Sequence, residues 1–177
     1  YQQDRSALGR INAWWFAFHL ANARPIVGGG FETFTPELFK KYAPEPENFH
    51  DSHSIYFEIL GEQGYPGLLI FLTLGILTWR YGSWTIRHCR GRPDLKWASD
   101  LAAMVQVSLA AYAVGGAFLG LSYFDLAWGL VAIQVLTRVL VQRALEEAPV
   151  PGDGGGQVRT PVREFVRGPG IVADGGR

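Results

Sequence analysis

Three apolar runs dominate the second half of the chain. From Pro66, the stretch PGLLIFLTLGILTWRYGSWTI is about as long as the roughly 20 apolar residues that cross a bilayer. Arg80 comes late in it, where a long side chain reaches back to the headgroups. A second run, 97–121, carries one charge, Asp100, near its start, and a third, 124–141, has Asp125 at one end and Arg138 near the other. The pattern predicts three transmembrane helices, at about 66–87, 97–121 and 124–143.

Ahead of these runs the pattern changes. LGRINAWWFAFHLANA (8–23) is helical in character and apolar around most of its circumference, yet it holds Arg10, Asn12, His19 and Asn22. It is too short to cross a membrane alone, and Trp14, Trp15, Phe16 and Phe18 suit a helix in the interface or against the outer face of a bundle. Ser6 is a suitable N-cap, and Pro25 with Gly28, Gly29 and Gly30 closes the helix in a turn. Residues 31–52, with Pro36, Pro44 and Pro46, read as an irregular loop with one short helix near 36–42. The Gly- and Pro-rich residues 148–177 predict a disordered tail.

The expected fold is therefore all-α. It is a polytopic helical membrane protein with a loop region at 1–65 bearing short interfacial helices, three spans within 66–147, and a tail. Arg87, Arg90, Arg92 and Lys96 lie between the first two spans, whereas GLSYFD between the last two has no Lys or Arg. The positive-inside rule assigns the basic turn and the tail to the cytoplasm, so Pro66 and the residues near His53 fall on the outer side.

Composition narrows the picture. The chain has 177 residues, begins at Tyr1 without an initiator Met or a signal pattern, and is read as the C-terminal fragment of a longer protein. Lys+Arg and Asp+Glu balance at 16 each, which removes the electrostatic case for a nucleic-acid partner. The single cysteine, Cys89, excludes an intramolecular disulfide. Its RHCRGR setting would act to lower the thiol pKa, but the favoured reading is the plainer one of a bystander thiol in a cytoplasmic turn.

Candidate chemistry concentrates in HDSHSIYFEILGEQG (50–64). If His53 opens a helix, a 100° step puts Tyr56, Phe57, Leu60 and Gly64 on its face and Glu58 and Glu62 opposite, so a charged partner for His53 comes from another segment. Gly64 leaves room for a substrate or for a neighbouring backbone, and also breaks the chain before Pro66. His50 and His53 form an H-x-x-H pair, but no third ligand follows at a metal-binding spacing, and no metal or cofactor is expected. A neutral imidazole near pH 7 suits general-base work on a hydroxyl; the alternative is a structural histidine at a membrane surface.

Arg10, embedded among aromatics, either reaches the headgroups or meets an anion, and its guanidinium fork matches phosphate oxygens. Trp14, one turn on, packs on it or covers a lipid chain. Arg24 faces the same pair of readings, as do Lys40 and Lys41. The Gly28–Gly30 run either offers N–H groups to a phosphate or forms a plain turn, and without a Lys-Ser/Thr ending it is no nucleotide P-loop. Asp125 orients a sugar hydroxyl or caps a helix.

The order of DRSALGRINAWWFAFHLANARPIVGGGF, a loop with YAPEP, HDSHSIYFEILGEQGYPGLLIF and then spans resembles the O-antigen ligase and polymerase superfamily of bacterial membrane glycosyltransferases. Over about 4–141 it looks most like the O-glycosylation ligases associated with the exosortase A system. The resemblance implies a multi-span protein of the bacterial inner membrane with its catalytic loop in the periplasm. It implies an undecaprenyl-diphosphate-linked glycan as donor, a lipid or protein hydroxyl as acceptor, and neither metal nor nucleotide sugar. Membrane lipids and upstream transmembrane helices of the same chain are the other implied partners. By motif position, His53 matches the histidine proposed as general base and Arg10 the arginine proposed to contact the donor diphosphate. The family's further arginine falls before Tyr1, and Arg24 substitutes for it only if it faces the same cavity. A polymerase shares this donor chemistry; a scaffold or a transporter is the alternative of another class, and the charge-poor centres of spans two and three tell against transport.

Overall fold

A computed structural model describes residues 5–147; the tail expected at 148–177 lies outside them. The described residues are all-α, with helices α1 (Arg5–Ala23), α2 (Pro36–Tyr42), α3 (Ile55–His88), α4 (Lys96–Gly116) and α5 (Asp125–Glu146), and a 3₁₀ turn at Pro93–Leu95. Three helices, α3, α4 with its leading turn, and α5, are long and apolar enough to cross a membrane. Leu69, Ile70, Ile76, Val107, Val114 and Leu136 on them are exposed, as side chains that face lipid rather than water must be.

Helix α1 buries Asn12, Ala13, Phe16, Ala17, Leu20 and Ala21 while Leu8, Ile11, Trp15 and Phe18 stay exposed. Its polar residues hold the loop that follows. Asn12 donates to the carbonyls of Glu45 and Asn48 at 2.8 and 2.9 Å and accepts the Glu45 N–H at 2.9 Å, and His19 Nδ1 meets the Tyr42 carbonyl at 2.9 Å. Helix α2 starts at a Thr35 cap with Pro36 in its first turn, both favoured there. It docks through Phe39, whose ring stacks on Phe16 at 4.2 Å within a cluster that includes Ala13 and Leu20.

Helix α3 has 34 residues, about 51 Å at 1.5 Å per residue and well beyond a hydrocarbon core of about 30 Å. It is broken at Gly64 (φ 69, ψ −166) ahead of Pro66. The break orphans two carbonyls. Pro66 has no N–H for Glu62 O, and Tyr65 N–H turns instead to the Pro25 carbonyl at 3.0 Å. Both orphans find donors in the glycine turn, from Gly29 N–H to Gly61 O at 2.8 Å and from Gly30 N–H to Glu62 O at 2.9 Å. The short leading segment of α3 thus packs on α1, and the segment from Pro66 is the one that reads as a span.

Helix α4 stops at Gly116 although the apolar run continues to Leu121. Gly116 lies against Ile55, where a Cβ would come within 2.6 Å of its Cδ1. Beyond it, residues 117–124 turn back over the start of α3: Ser122 Oγ lies 3.2 Å from Ile55 O, and Tyr112 OH donates to Leu121 O at 2.8 Å. At the opposite end of the bundle Cys89, Leu95, Ala98 and Val141 form a second buried cluster. Cys89 is buried there, and burial first of all raises its pKa, with Asp94 adding to it. The basic setting therefore does not lower the thiol, and Arg92, its basic neighbour, is committed to Asp94 at 2.8 Å.

Candidate functional site

The segment before α3 is built around alternating burial. Ser52 and Ser54 are buried while His53 between them is exposed. Asp51 Oδ1 accepts the Ser52 N–H at 2.7 Å, and Ser52 Oγ lies 3.4 Å from the Ser54 carbonyl. His53 has φ 43, a left-handed conformation that costs a residue with a Cβ roughly 1–2 kcal/mol. Ser54 is the extended residue ahead of the helix, which begins at Ile55. His53 therefore does not open the helix, and the expected face shared with Tyr56, Phe57, Leu60 and Gly64 is not formed. The one left-handed residue turns its imidazole outward while both serines face in.

Helix α1 holds this segment. Trp14 donates its indole N–H to the Ser52 carbonyl at 2.8 Å and stacks on Phe57 at 5.1 Å with an 8° interplanar angle. Its other neighbours, Ile11, Trp15 and Phe18, line with it and Phe57 an apolar cleft of about 380 Å³. Arg10 stands one turn before Trp14, on the same face. It is half-buried, and its Nε is buried without a hydrogen-bond partner among the described residues. Between them the sequence reading overlooked a contact: Gly9 lies under the His50 ring, where a Cβ would meet Nδ1 at 2.5 Å. The signal for it was only a glycine inside a helical pattern. His50 Nδ1 is itself buried and unpartnered.

Gly9 and Trp14 of α1 thus meet His50 and Ser52 of the segment that carries His53, and Arg10 lies on the helix turn between these two contacts. No carboxylate pairs with Arg10 among the described residues, where the ion pairs are Arg92–Asp94 and Lys96–Asp100. Such an unpaired guanidinium is disposed to take an anion.

The carboxylates of α3 are committed elsewhere. Glu58 Oε2 accepts from Ser122 Oγ at 2.7 Å. Buried Glu62 accepts the Glu32 N–H at 2.8 Å and the Tyr123 hydroxyl, and Gln63 Nε2 donates to the same hydroxyl at 3.0 Å. Burial, and then the bond to Glu62, push the Tyr123 phenol well above its ordinary value.

The remaining predicted residues stand apart. Arg24 is exposed just past the end of α1, about 21 Å along the helix axis from Arg10, so the two do not converge. Gly64 is buried, and a Cβ there would lie 2.5 Å from the Pro25 carbonyl. The neighbouring backbone, rather than a substrate, fills its space. The N–H groups of Gly28, Gly29 and Gly30 are taken by Arg24 O, Gly61 O and Glu62 O, which rules out the phosphate reading of that turn. Among the described residues no group of three or more His, Cys, Asp or Glu is placed to hold a metal ion.

No curated protein and no solved structure matches the chain. Residues 1–72, the stretch that holds Arg10, Trp14, Arg24, His53 and Gly64, match the family model described as O-Antigen ligase.

Proposed function

We propose that the protein is a membrane glycosyltransferase of the O-antigen ligase type. It transfers a glycan from a polyprenyl-diphosphate carrier to a hydroxyl of a lipid or protein acceptor at the periplasmic face of the bacterial inner membrane. Within that superfamily the motif wording supports the exosortase A-associated branch. The observation that carries the reading is the bond from Trp14 to Ser52 O, which ties the Arg10 face of α1 to the residue preceding an exposed imidazole.

His53 accepts the proton of the acceptor hydroxyl as its oxygen attacks the anomeric carbon and the carbon–oxygen bond to the lipid diphosphate breaks. General-base assistance of this kind contributes about 10²–10⁴-fold. Arg10 stabilises the negative charge that grows on the departing diphosphate, worth about 2.7–4 kcal/mol by analogy with a donor at an oxyanion site. The apolar cleft beside Trp14 suits the first units of the lipid, and its position next to the leading segment of α3 keeps the reacting bond at the water–lipid boundary.

The test is transfer from a defined lipid-linked donor by the purified protein in lipid nanodiscs. His53→Ala is expected to lower turnover by about 10²–10⁴-fold with donor binding retained, and Arg10→Ala to weaken both. Near-normal turnover by His53→Ala removes the general-base assignment, and the acceptor consumed separates a ligase from a polymerase.

A further inference from the structure

At the basic end of the bundle, α3 and α5 enclose an open cleft of about 640 Å³ lined by Arg80, Tyr81, Trp84, Arg87 and Arg138. We propose that this cleft binds the phosphate of an anionic phospholipid. The proposal is independent of the glycosyltransferase reading.

Arg80, Trp84 and Arg87 recur at helical spacing and so share one face of α3, and Arg138 approaches them from α5. The Arg138 guanidinium lies over the Tyr81 ring at 4.1 Å and is 5.2 Å from the Trp84 ring. Stacking of this kind fixes a flat cation while leaving its donor edge free. Its Nε is buried and has no hydrogen-bond partner among the described residues. Arg87 spends one donor on the Ser83 carbonyl at 3.2 Å. Among the described residues none of the three arginines has a carboxylate partner, because both ion pairs lie elsewhere. Three like charges around one cleft repel each other unless an anion enters.

Depth identifies the anion. At about 1.5 Å per residue, Arg80 stands about 21 Å beyond Pro66, Arg138 about 20 Å beyond Asp125, and Arg87 about 31 Å beyond Pro66. Against a hydrocarbon core of about 30 Å, the first two guanidiniums sit roughly 10 Å short of the far boundary and the third at it. Cations at that depth are stabilised by drawing phosphodiester groups inward, and basic pockets between transmembrane helices take anionic headgroups. A membrane phospholipid is present at this level in excess, with its acyl chains free to lie on the apolar helix faces below.

The experiment is mass spectrometry of the detergent-solubilised protein after incubation with an equimolar mixture of dioleoylphosphatidylglycerol and dioleoylphosphatidylcholine. The wild type is expected to retain the glycerol lipid preferentially. Arg80→Gln is expected to lower that preference about fivefold and Arg80→Gln with Arg138→Gln about 25-fold, one step per basic residue. Arg90→Gln with Arg143→Gln, which removes the same charge from exposed positions outside the cleft, should leave it unchanged. Equal retention of both lipids by the wild type overturns the proposal. So does an equal loss in the control pair, which would mean diffuse surface charge, or displacement of the lipid by millimolar inorganic phosphate, which would mean a soluble-anion site. Helicity by circular dichroism accompanies each variant. If the double variant unfolds, exposed Arg80 alone decides, and an unchanged preference in Arg80→Gln counts against the site.

Discussion

Trp14 donates to the carbonyl of buried Ser52 while its ring stacks on Phe57, so the two roles of one side chain are separable by substitution. Trp14→Phe keeps the stacking surface and removes the donor. Leaving a buried acceptor unpaired costs about 1–3 kcal/mol, and the thermal midpoint of the variant in detergent is expected to fall accordingly. An unchanged midpoint would mean that water or another group serves Ser52 equally well. At Cys89 the relevant residue is again the one that touches it rather than the one beside it in sequence. RHCRGR is basic along the chain, yet the thiol is enclosed by Leu95, Ala98 and Val141 and its pKa is raised chiefly by burial. A raised folded value favours the protonated thiol. Its contribution to stability is complete below the unfolded thiol value of about 8.5 and is lost as pH rises through the folded one. Maleimide should therefore label native Cys89 at pH 7.5 more slowly than the unfolded chain, with the rate climbing only at higher pH. Equal rates would show the thiol to be open and unperturbed. The chain order of charges carried no sign of this enclosure.

The broken helix α3 and the glycine turn that completes it behave as one element. Gly28 (φ 59), Gly30 (φ 89) and Gly64 (φ 69) all adopt left-handed conformations, but they differ in what surrounds them. A Cβ on Gly30 meets nothing within 4 Å, whereas on Gly28 it would come 2.6 Å from Gly61 O and on Gly64 2.5 Å from Pro25 O. Gly30→Ala is expected to cost only the conformational strain, about 1–2 kcal/mol. Gly28→Ala and Gly64→Ala should exceed it, since backbone must move as well. Unfolding midpoints of the three variants check the order, and equal losses would mean that close approach adds nothing. The sequence made half of this element readable. Gly64 and Pro66 announce a break, and the apolar runs announce spans, because both are local signals. The donors for the break come from Gly29 and Gly30, more than thirty positions upstream, and nothing in the spacing of a Gly-Gly-Gly run distinguishes a pairing with distant carbonyls from a phosphate cradle. His53 was misplaced by the opposite error. His53 is itself left-handed and extended Ser54 stands between it and the helix that begins at Ile55, and a periodicity argument has no means of seeing one dihedral angle.

At the scale of the whole molecule, the candidate site draws on two parts of the chain that the sequence keeps far apart. Residues 1–72 match the O-Antigen ligase model, but the ceiling over the leading segment of α3 comes from the turn at 117–124. Ser122 donates to Glu58 with its Oγ 3.2 Å from Ile55 O, Tyr123 donates to Glu62, and Phe118 lies 6.4 Å from Trp14. The apolar pattern ran through 117–121 as the tail of a span, and GLSYFD read only as a connection without basic residues, so neither announced these contacts. The turn acts as a clasp, with α4 and α5 anchored in the bundle and its polar tips gripping the element that follows His53. The raised pKa of Tyr123 keeps its phenol protonated, and therefore a donor, throughout the neutral range. Hydrogen bonds to charged acceptors contribute about 1.5–3 kcal/mol, which corresponds to about 10–100-fold in a local opening equilibrium. Ser122→Ala with Tyr123→Phe, which removes two such bonds, is thus expected to speed amide hydrogen exchange at residues 55–63 by at least that factor. Exchange around Cys89 and Leu95, at the other end of the bundle, should stay as it was. If the 55–63 amides keep their protection, α1 alone secures them through Trp14, and the clasp is packing without consequence for the site.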